Sequence, residues 1–406
     1  MDNVVIFVAD ALRLDYLPDR IKRKGDFVET IASSTVSPAS FSSILSGLHP
    51  TEHNVFTFYH QLDQSTSLLG IDDFNTSFWQ VLLDGGMYDV LGQDVKGKQR
   101  LSELEPPFIY VERENSTHSP YGEWTEEWFE PSDDAHTIWG GRPRDDMWGR
   151  FRGDWEKIQE KYHTGANTAA ERFQERLGSL RDRGLLDDTL VIFTSDHGEL
   201  LGEYSEKSHS RPVVSELVRV PTVIFNPDGR TVPESCSLMS HVDIVPTIGE
   251  ALDTEFDWEL SGQSVYSSGQ SWGYNHYHRP KGGVLRKQSG DDLKAITIES
   301  IWDRQGGYVY KHSSGESFGT RRQATEVFRT IGKHVPLVGS PWARVRHLPA
   351  ALRYHLTNPF VDGSPIRSNE EARRLLQTIP RRDSVAEDTI DISPAKQRHL
   401  EDLGYS

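Results

Sequence analysis

Two aspartates stand directly after runs of apolar, β-branched residues. Asp10 closes VVIFVAD, and Asp196 closes LVIFTSD with His197, Gly198 and Glu199 behind it. In an open α/β sheet, ligands bind outside the carboxyl ends of the strands. Two carboxylates and an imidazole at neighbouring strand ends make a site for a divalent cation. Oxygen-rich ligation suits Ca²⁺, Mg²⁺ or Mn²⁺, and the histidine turns the choice toward Mn²⁺ or Zn²⁺. A single strand that ends at an aspartate needs no ligand, because loops are polar. Two matched ends, one followed by His-Gly-Glu, favour the cation. The third chemical residue is Ser37, which precedes Pro38 in SPASFSSILSG. Ser at a helix N-cap with Pro after it is a common helix start. A serine there also has helix N–H groups and dipole to steady a developing negative charge, and a nearby metal would activate it further. The capping and nucleophilic readings are compatible.

The elements that must position these residues follow from periodicity. Val4–Ala9 and Leu190–Thr194 are continuously apolar, the pattern of strands covered on both faces of a parallel sheet. Pro38–Leu45 reads as a short helix and Ser77–Leu83 as another, stopped by Gly85 and Gly86. Strands are expected at Tyr88–Leu91, Phe108–Val111 and Thr222–Phe225, and a helix after Asp243. From Trp155 to Arg183, apolar residues recur near the helical period, and Gly184 follows as a C′ residue. Helix, glycine and strand together make a crossover unit. Alternating β and α elements predict an α/β fold, a doubly wound and mostly parallel sheet with helices on both faces. The pattern weakens after Leu260, so the expected division is residues 1–260 as the catalytic domain and 261–406 as a smaller C-terminal subdomain and tail. Within the latter, Leu348–Leu356 and Asn369–Leu376 look helical, and Pro380–Ser393 reads as surface loop.

Composition narrows the partners. With 61 acidic against 44 basic side chains the net charge is −17, which repels nucleic acid and anionic membranes. An anionic ester would need a local cation to hold it. Cys236 is the single cysteine, so no internal disulfide forms. The N-terminus has no basic region followed by a cleavage site, and no segment approaches the roughly 18 apolar residues of a membrane span. The expected location is therefore cytoplasmic.

Taken in order, several segments resemble one family. NVVIFVADALRLDYL looks like the opening strand and metal aspartate of sulfatases, and SPASFSSILSGLHPTEHNV like their nucleophile helix. RGLLDDTLVIFTSDHGELLGE resembles their second metal segment, ELVRVPTVIF and HVDIVPTIGEALD the strand and helix after it, and HLEDLGYS a frequent sulfatase terminus. The resemblance, to the sulfatase family of the alkaline phosphatase-like superfamily, runs from residue 1 to about 265 and returns at the last few residues. It implies that Asp10, Asp196 and His197 ligate the metal, and that Ser37 is both nucleophile and ligand. It also implies that His118, in STHSPYGEW, contacts substrate. Lys207 and His209, in EKSHS, would bind the sulfate oxygens or protonate the leaving group. Read without the resemblance, these three are polar loop residues. His241 and Glu199 are expected to be structural, and His49, His53 and His60 to be surface or core histidines.

Three positions depart from the family pattern: Ala11 replaces a second aspartate, Phe41 an arginine, and Ala39 a proline whose counterpart is Pro38. Sulfatases oxidise the nucleophile to formylglycine on a signal that includes that arginine. Phe41 therefore predicts an unmodified Ser37. The expected activity is metal-dependent hydrolysis of a sulfate ester on a sugar or small organic alcohol. The alternatives are a phosphomonoesterase, phosphodiesterase or phosphotransferase using unmodified Ser37, and a non-catalytic protein that binds sulfated or phosphorylated glycans.

Overall fold

The computed structural model describes residues 1–81, 86–94, 98–119, 121–122, 155–209, 211–267, 269–279, 296–313, 348–382 and 390. The strands of the main sheet are β1 (Asn3–Ala9), β2 (Asp26–Ile31), β3 (Asn75–Gln80), β4 (Phe108–Glu114), β5 (Thr189–Thr194), β8 (Arg219–Phe225) and β9 (Met239–Ser240). A small hairpin, β6 (Leu200–Leu201) with β7 (Lys207–Ser208), lies between β5 and β8 in the chain. The sheet order is β3-β4-β1-β5-β8-β2-β9. β3, β4, β1 and β5 pair in parallel, whereas β8 runs antiparallel to both β5 and β2. Thr222–Phe225 thus joins the sheet, in the reverse sense to its neighbours.

The apolar run of β1 is fully buried because both faces are covered. Val4, Ile6 and Val8 face a core with Phe41, Ile44, Ile244 and Ile248, supplied by the helices Ser37–Ser46 and Ile244–Leu252. Val5, Phe7 and Ala9 face the other core, filled by Ala166, Ala169, Phe173 and Leu177 of the long helix Trp155–Asp182. Phe7 stacks on Phe193 at 5.6 Å and meets Phe173 edge-on at 5.4 Å. Burial of such a ring stabilises by about 2–3 kcal/mol. The long helix stops at Gly184, whose φ of +71° few side chains tolerate, with Leu185 N donating to Leu180 O.

Two expectations fail, as a pair. Ser77 lies in strand β3, not in a helix, and the predicted strand at Tyr88 is a short helix, Met87–Val90. β3 is aromatic and β-prone, and its register against β4 (Phe78 opposite Val111) supplies backbone partners along its length. The four residues Met87–Val90 are too few to show a period, and their apolar side chains reach the core equally well from one helical turn.

The chain after residue 260 contributes a second, antiparallel sheet: β10 (Gly273–Arg279), β11 (Ile296–Asp303), β12 (Gly306–Ser313) and β13 (Phe360–Gly363), in that order. β10 docks on the loop after β2, where His276 N donates to Ser33 O and Asn275 Nδ2 to Ala32 O, both at 2.8 Å. Gly273 permits this approach, since a Cβ there would sit 2.5 Å from the Ile31 Cβ. Helix Leu348–Leu356 follows its expectation, and helix Asn369–Thr378 extends it by two residues, behind a Ser368–Glu371 capping box. The HLEDLGYS terminus and most of Pro380–Ser393 fall outside the described residues. Among the described residues, no helix is long and apolar enough to cross a membrane.

Candidate active site

Adjacent parallel strands β1 and β5 deliver Asp10 and Asp196 to the same edge of the sheet, and the loop after β5 adds His197. One ligand atom from each of the three lies within 4.8 Å of the others, and all three residues are buried. Asp196 Oδ1 accepts from Ala11 N and His197 N, each at 3.0 Å. Its Oδ2 has no hydrogen-bond partner, nor does Asp10 Oδ1. A buried carboxylate oxygen left unbonded is costly unless something else meets it. His197 Nδ1 lies 2.9 Å from Gly198 O, a contact that places the proton on Nδ1 and leaves the Nε2 lone pair for the cluster. Nε2 is 3.4 Å from Asp196 Oδ2 and 4.0 Å from Asp10 Oδ1. Two orphan carboxylate oxygens and one imidazole lone pair are the donor set a divalent cation would take.

Ser37 opens its helix as the first helical residue, with Val36 rather than Ser37 at the N-cap. The Ser37 hydroxyl lies 3.3 Å from His197 Nε2. The helix is buried throughout although half of it is serine, because its hydroxyls bond back to backbone: Ser42 Oγ to Pro38 O, Ser46 Oγ to Ser42 O, and Ser40 Oγ to Ser34 O. Phe41 packs edge-on to Phe78 at 6.1 Å within the core.

The histidines expected at the site gather beside it. His209 lies against His197 with ring centroids 4.3 Å apart and planes tilted by 35°, and His118 follows at 5.5 Å from His209. Glu199 is fully buried, with Oε2 3.7 Å from His209 Nδ1. Lys207 lies in β7, opposite Leu201, and its side chain falls outside the described residues. His241 bridges the loop before Ser37 and the Asp196 loop: its Nδ1 accepts from Ser33 N, and its Nε2 lies 2.9 Å from Ser195 O. Burial pushes this ring down to about 4, so it works neutral. His49, His53 and His60 are core residues, and burial lowers each of them.

Two residues at the end of β4 escaped the sequence reading. Arg113 is buried, its guanidinium 2.7 Å from Asp10 Oδ2 and its Nη2 3.3 Å from Ser37 Oγ. Asn115 donates to the same Asp10 oxygen at 2.9 Å. Together they occupy Oδ2 and leave Oδ1 for the cluster. A signal was present: Glu112, Arg113 and Glu114 interrupt a strand that pairs with Asp10's own. The alternation of the strand sends the two glutamates to Arg176 and Arg172 of the long helix, and the arginine to the site.

A family model described as Sulfatase matches residues 121–254. The chain is 31% identical over 419 aligned residues to the low-salt glycan biosynthesis sulfotransferase Agl7 of Haloferax volcanii, covering 100% of this chain and 96% of that one. In fold it is similar to a phosphonate monoester hydrolase of Agrobacterium radiobacter, with TM-score 0.57, 15% identity and coverage of 86% and 96% of the two chains. It is likewise similar to a 2-O GAG sulfatase, with TM-score 0.55, 12% identity and coverage of 84% and 96%.

Proposed function

Since the chain belongs to the sulfatase family of the alkaline phosphatase-like superfamily, we propose that this sulfatase-like enzyme cleaves an organic sulfate ester through Ser37, beside a divalent cation held by Asp10, Asp196 and His197. The observation that carries the proposal is the pair of orphan buried carboxylate oxygens facing an imidazole lone pair, next to a serine hydroxyl. A cation there would supply Lewis-acid charge to an ester oxygen and to the nucleophile.

The chain's own groups carry the remaining steps. Ser37 gives its proton to solvent, and its Oγ attacks sulfur. The bond from sulfur to the alcohol oxygen breaks as the new Oγ–S bond forms. His209 or His118 gives the departing alcohol its proton, and Lys207 adds positive charge around the sulfuryl oxygens. Water then takes the sulfuryl group and frees Ser37. Phe41, standing where the maturation signal has arginine, supports an unmodified serine. The substrate class we assign is a sulfated sugar or small organic sulfate.

A second reading, transfer of the sulfuryl group from Ser37 to an acceptor hydroxyl instead of water, is favoured by the full-length relative named as a glycan biosynthesis sulfotransferase. Turnover of p-nitrophenyl sulfate and p-nitrophenyl phosphate with Mn²⁺, with and without added sugar alcohols, tests both. Sulfate release that needs Mn²⁺ and vanishes in Ser37→Ala supports hydrolysis, and a sulfated sugar product supports transfer. Phosphate turnover without sulfate turnover refutes the sulfate assignment.

A further inference from the structure

Arg113 is marked by no motif, yet it touches both the carboxylate and the hydroxyl at the centre of the site. We propose that it is the positioning residue for the nucleophile, its guanidinium neutralising Asp10 on one side and donating to the Ser37 hydroxyl oxygen on the other. The proposal rests on the reading of Ser37 as nucleophile. A buried guanidinium costs several kcal/mol of desolvation unless it is paired. Arg113 is 2% exposed, and its neighbours in sequence cannot pair it, because Glu112 and Glu114 are engaged by Arg176 and Arg172 on the opposite face of β4. Its charge goes instead to Asp10 Oδ2 at 2.7 Å.

The fork geometry of arginine then matters, since one guanidinium can serve several acceptors in a fixed plane. Nη2 reaches Ser37 Oγ at 3.3 Å while Nη1 reaches Gln80 Oε1, also at 3.3 Å. Gln80 comes from the end of β3, so the head is tied to a third strand. The ring of Phe41, one helical turn from Ser37, stands 5.8 Å from the guanidinium carbon and walls it on another side. A charged donor fixed in a dry pocket favours the anionic form of the oxygen it faces, without reorganising when that charge develops.

The test compares Arg113→Ala and the charge-preserving Arg113→Lys with the wild-type chain, all saturated with Mn²⁺. Three quantities are read: sulfonylation of Ser37 by phenylmethylsulfonyl fluoride, followed by peptide mass; Mn²⁺ affinity, by calorimetry; and turnover of p-nitrophenyl sulfate. In Arg113→Ala, Ser37 labelling and kcat should fall about 100-fold, the order found when one preorganised donor is removed. Millimolar guanidinium should restore part of the loss. Arg113→Lys should keep Mn²⁺ affinity within about tenfold and still lose at least tenfold in labelling, because an ammonium lacks the fork. If the lysine variant labels at the wild-type rate, or if weaker Mn²⁺ binding accounts for the whole loss in both variants, the assignment is wrong. Should the alanine variant not fold, the lysine variant decides. A wild-type chain whose Ser37 takes no label overturns both this inference and the proposed function. Normal wild-type labelling with unaltered variants overturns the Arg113 inference alone.

Discussion

Replacing Asp196 with asparagine separates the cost of the site from its purpose. Asp196 Oδ1 accepts two backbone N–H groups at 3.0 Å, and an asparagine carbonyl oxygen can accept both. Its charge is what changes. The three potential ligand atoms lie within 4.8 Å of one another, so two carboxylates there repel by about 3 kcal/mol at an effective dielectric of roughly 20. Arg113, paired with Asp10, offsets part of that. In chelator, Asp196→Asn should therefore be as stable as the wild type or more so, by up to about 2 kcal/mol. With Mn²⁺ at 100 times its Kd the wild-type chain should gain about 2.7 kcal/mol, and the variant almost nothing. For a chain this long, 1 kcal/mol moves Tm by roughly 1 °C. The order of the two melting curves should thus reverse on adding metal, with a rise of about 3 °C for wild type only. Asp196→Ala should lose the metal as well and, by orphaning two buried N–H groups, cost a further 2–4 kcal/mol or so in chelator. A variant that Mn²⁺ stabilises as much as it does the wild type would falsify the assignment of Asp196 as a ligand.

Ser37→Ala should abolish turnover while Mn²⁺ binding, measured by calorimetry, weakens by about 10- to 100-fold without being lost, the range for one lost outer contact. A wild-type peptide carrying Ser37 should have the mass of serine, and a dominant species about 2 Da lighter would establish the aldehyde and overturn the unmodified-serine mechanism. Phe7→Ala, which removes a ring stacked on Phe193 and edge-on to Phe173, should cost about 3–5 kcal/mol in urea unfolding, and a loss under about 1 kcal/mol would contradict the two-faced packing of β1. Acid should also weaken the fold. Burial holds His49 and His60 down at about 4, and His53 and His276 at about 3, so the unfolded chain takes up protons that the folded chain refuses. Their contribution is complete above pH 6.5 and is lost as pH falls toward 4, at roughly 2 kcal/mol per histidine by pH 5. Burial raises Asp243 to about 6 and Glu216 to about 7, which returns stability over the same range but less of it. The urea midpoint should therefore drop between pH 7.5 and pH 5, and a rise would show that these rings are not buried neutral.

How much of the fold was legible depended on the length of each signal. β1 and β5 are apolar throughout because they are buried on both faces, and the helix Trp155–Asp182 runs for eight turns, so periodicity identified all three. The failures at Ser77 and Tyr88 come from segments of six and four residues, where helix and strand patterns coincide. The sense of β8 was hidden for another reason. Its sequence, RVPTVIF, is as apolar as a parallel strand would be, and direction is set by the connection through the Lys207 hairpin and the short helix Ser215–Val218, not by the strand itself.

The site divides along the same line. Asp10, Asp196 and His197 could be read because they follow two buried strands, and position at a strand end is a local property that becomes a shared one once β1 and β5 pair. Arg113 and Asn115 also sit at a strand end, but their function is relational. Arg113 matters because β4 lies beside β1 and because alternation along β4 turns it away from the long helix, neither of which a string of residues displays. The family pattern even pointed away from it: with Phe41 in place of arginine, the helix that begins at Ser37 carries no guanidinium of its own. The structure supplies one from 76 residues further along the chain. A charge that a pocket requires can move between elements in this way, because what is constrained is its place in space beside Asp10 and Ser37. A sequence motif names an element of the chain, not that place.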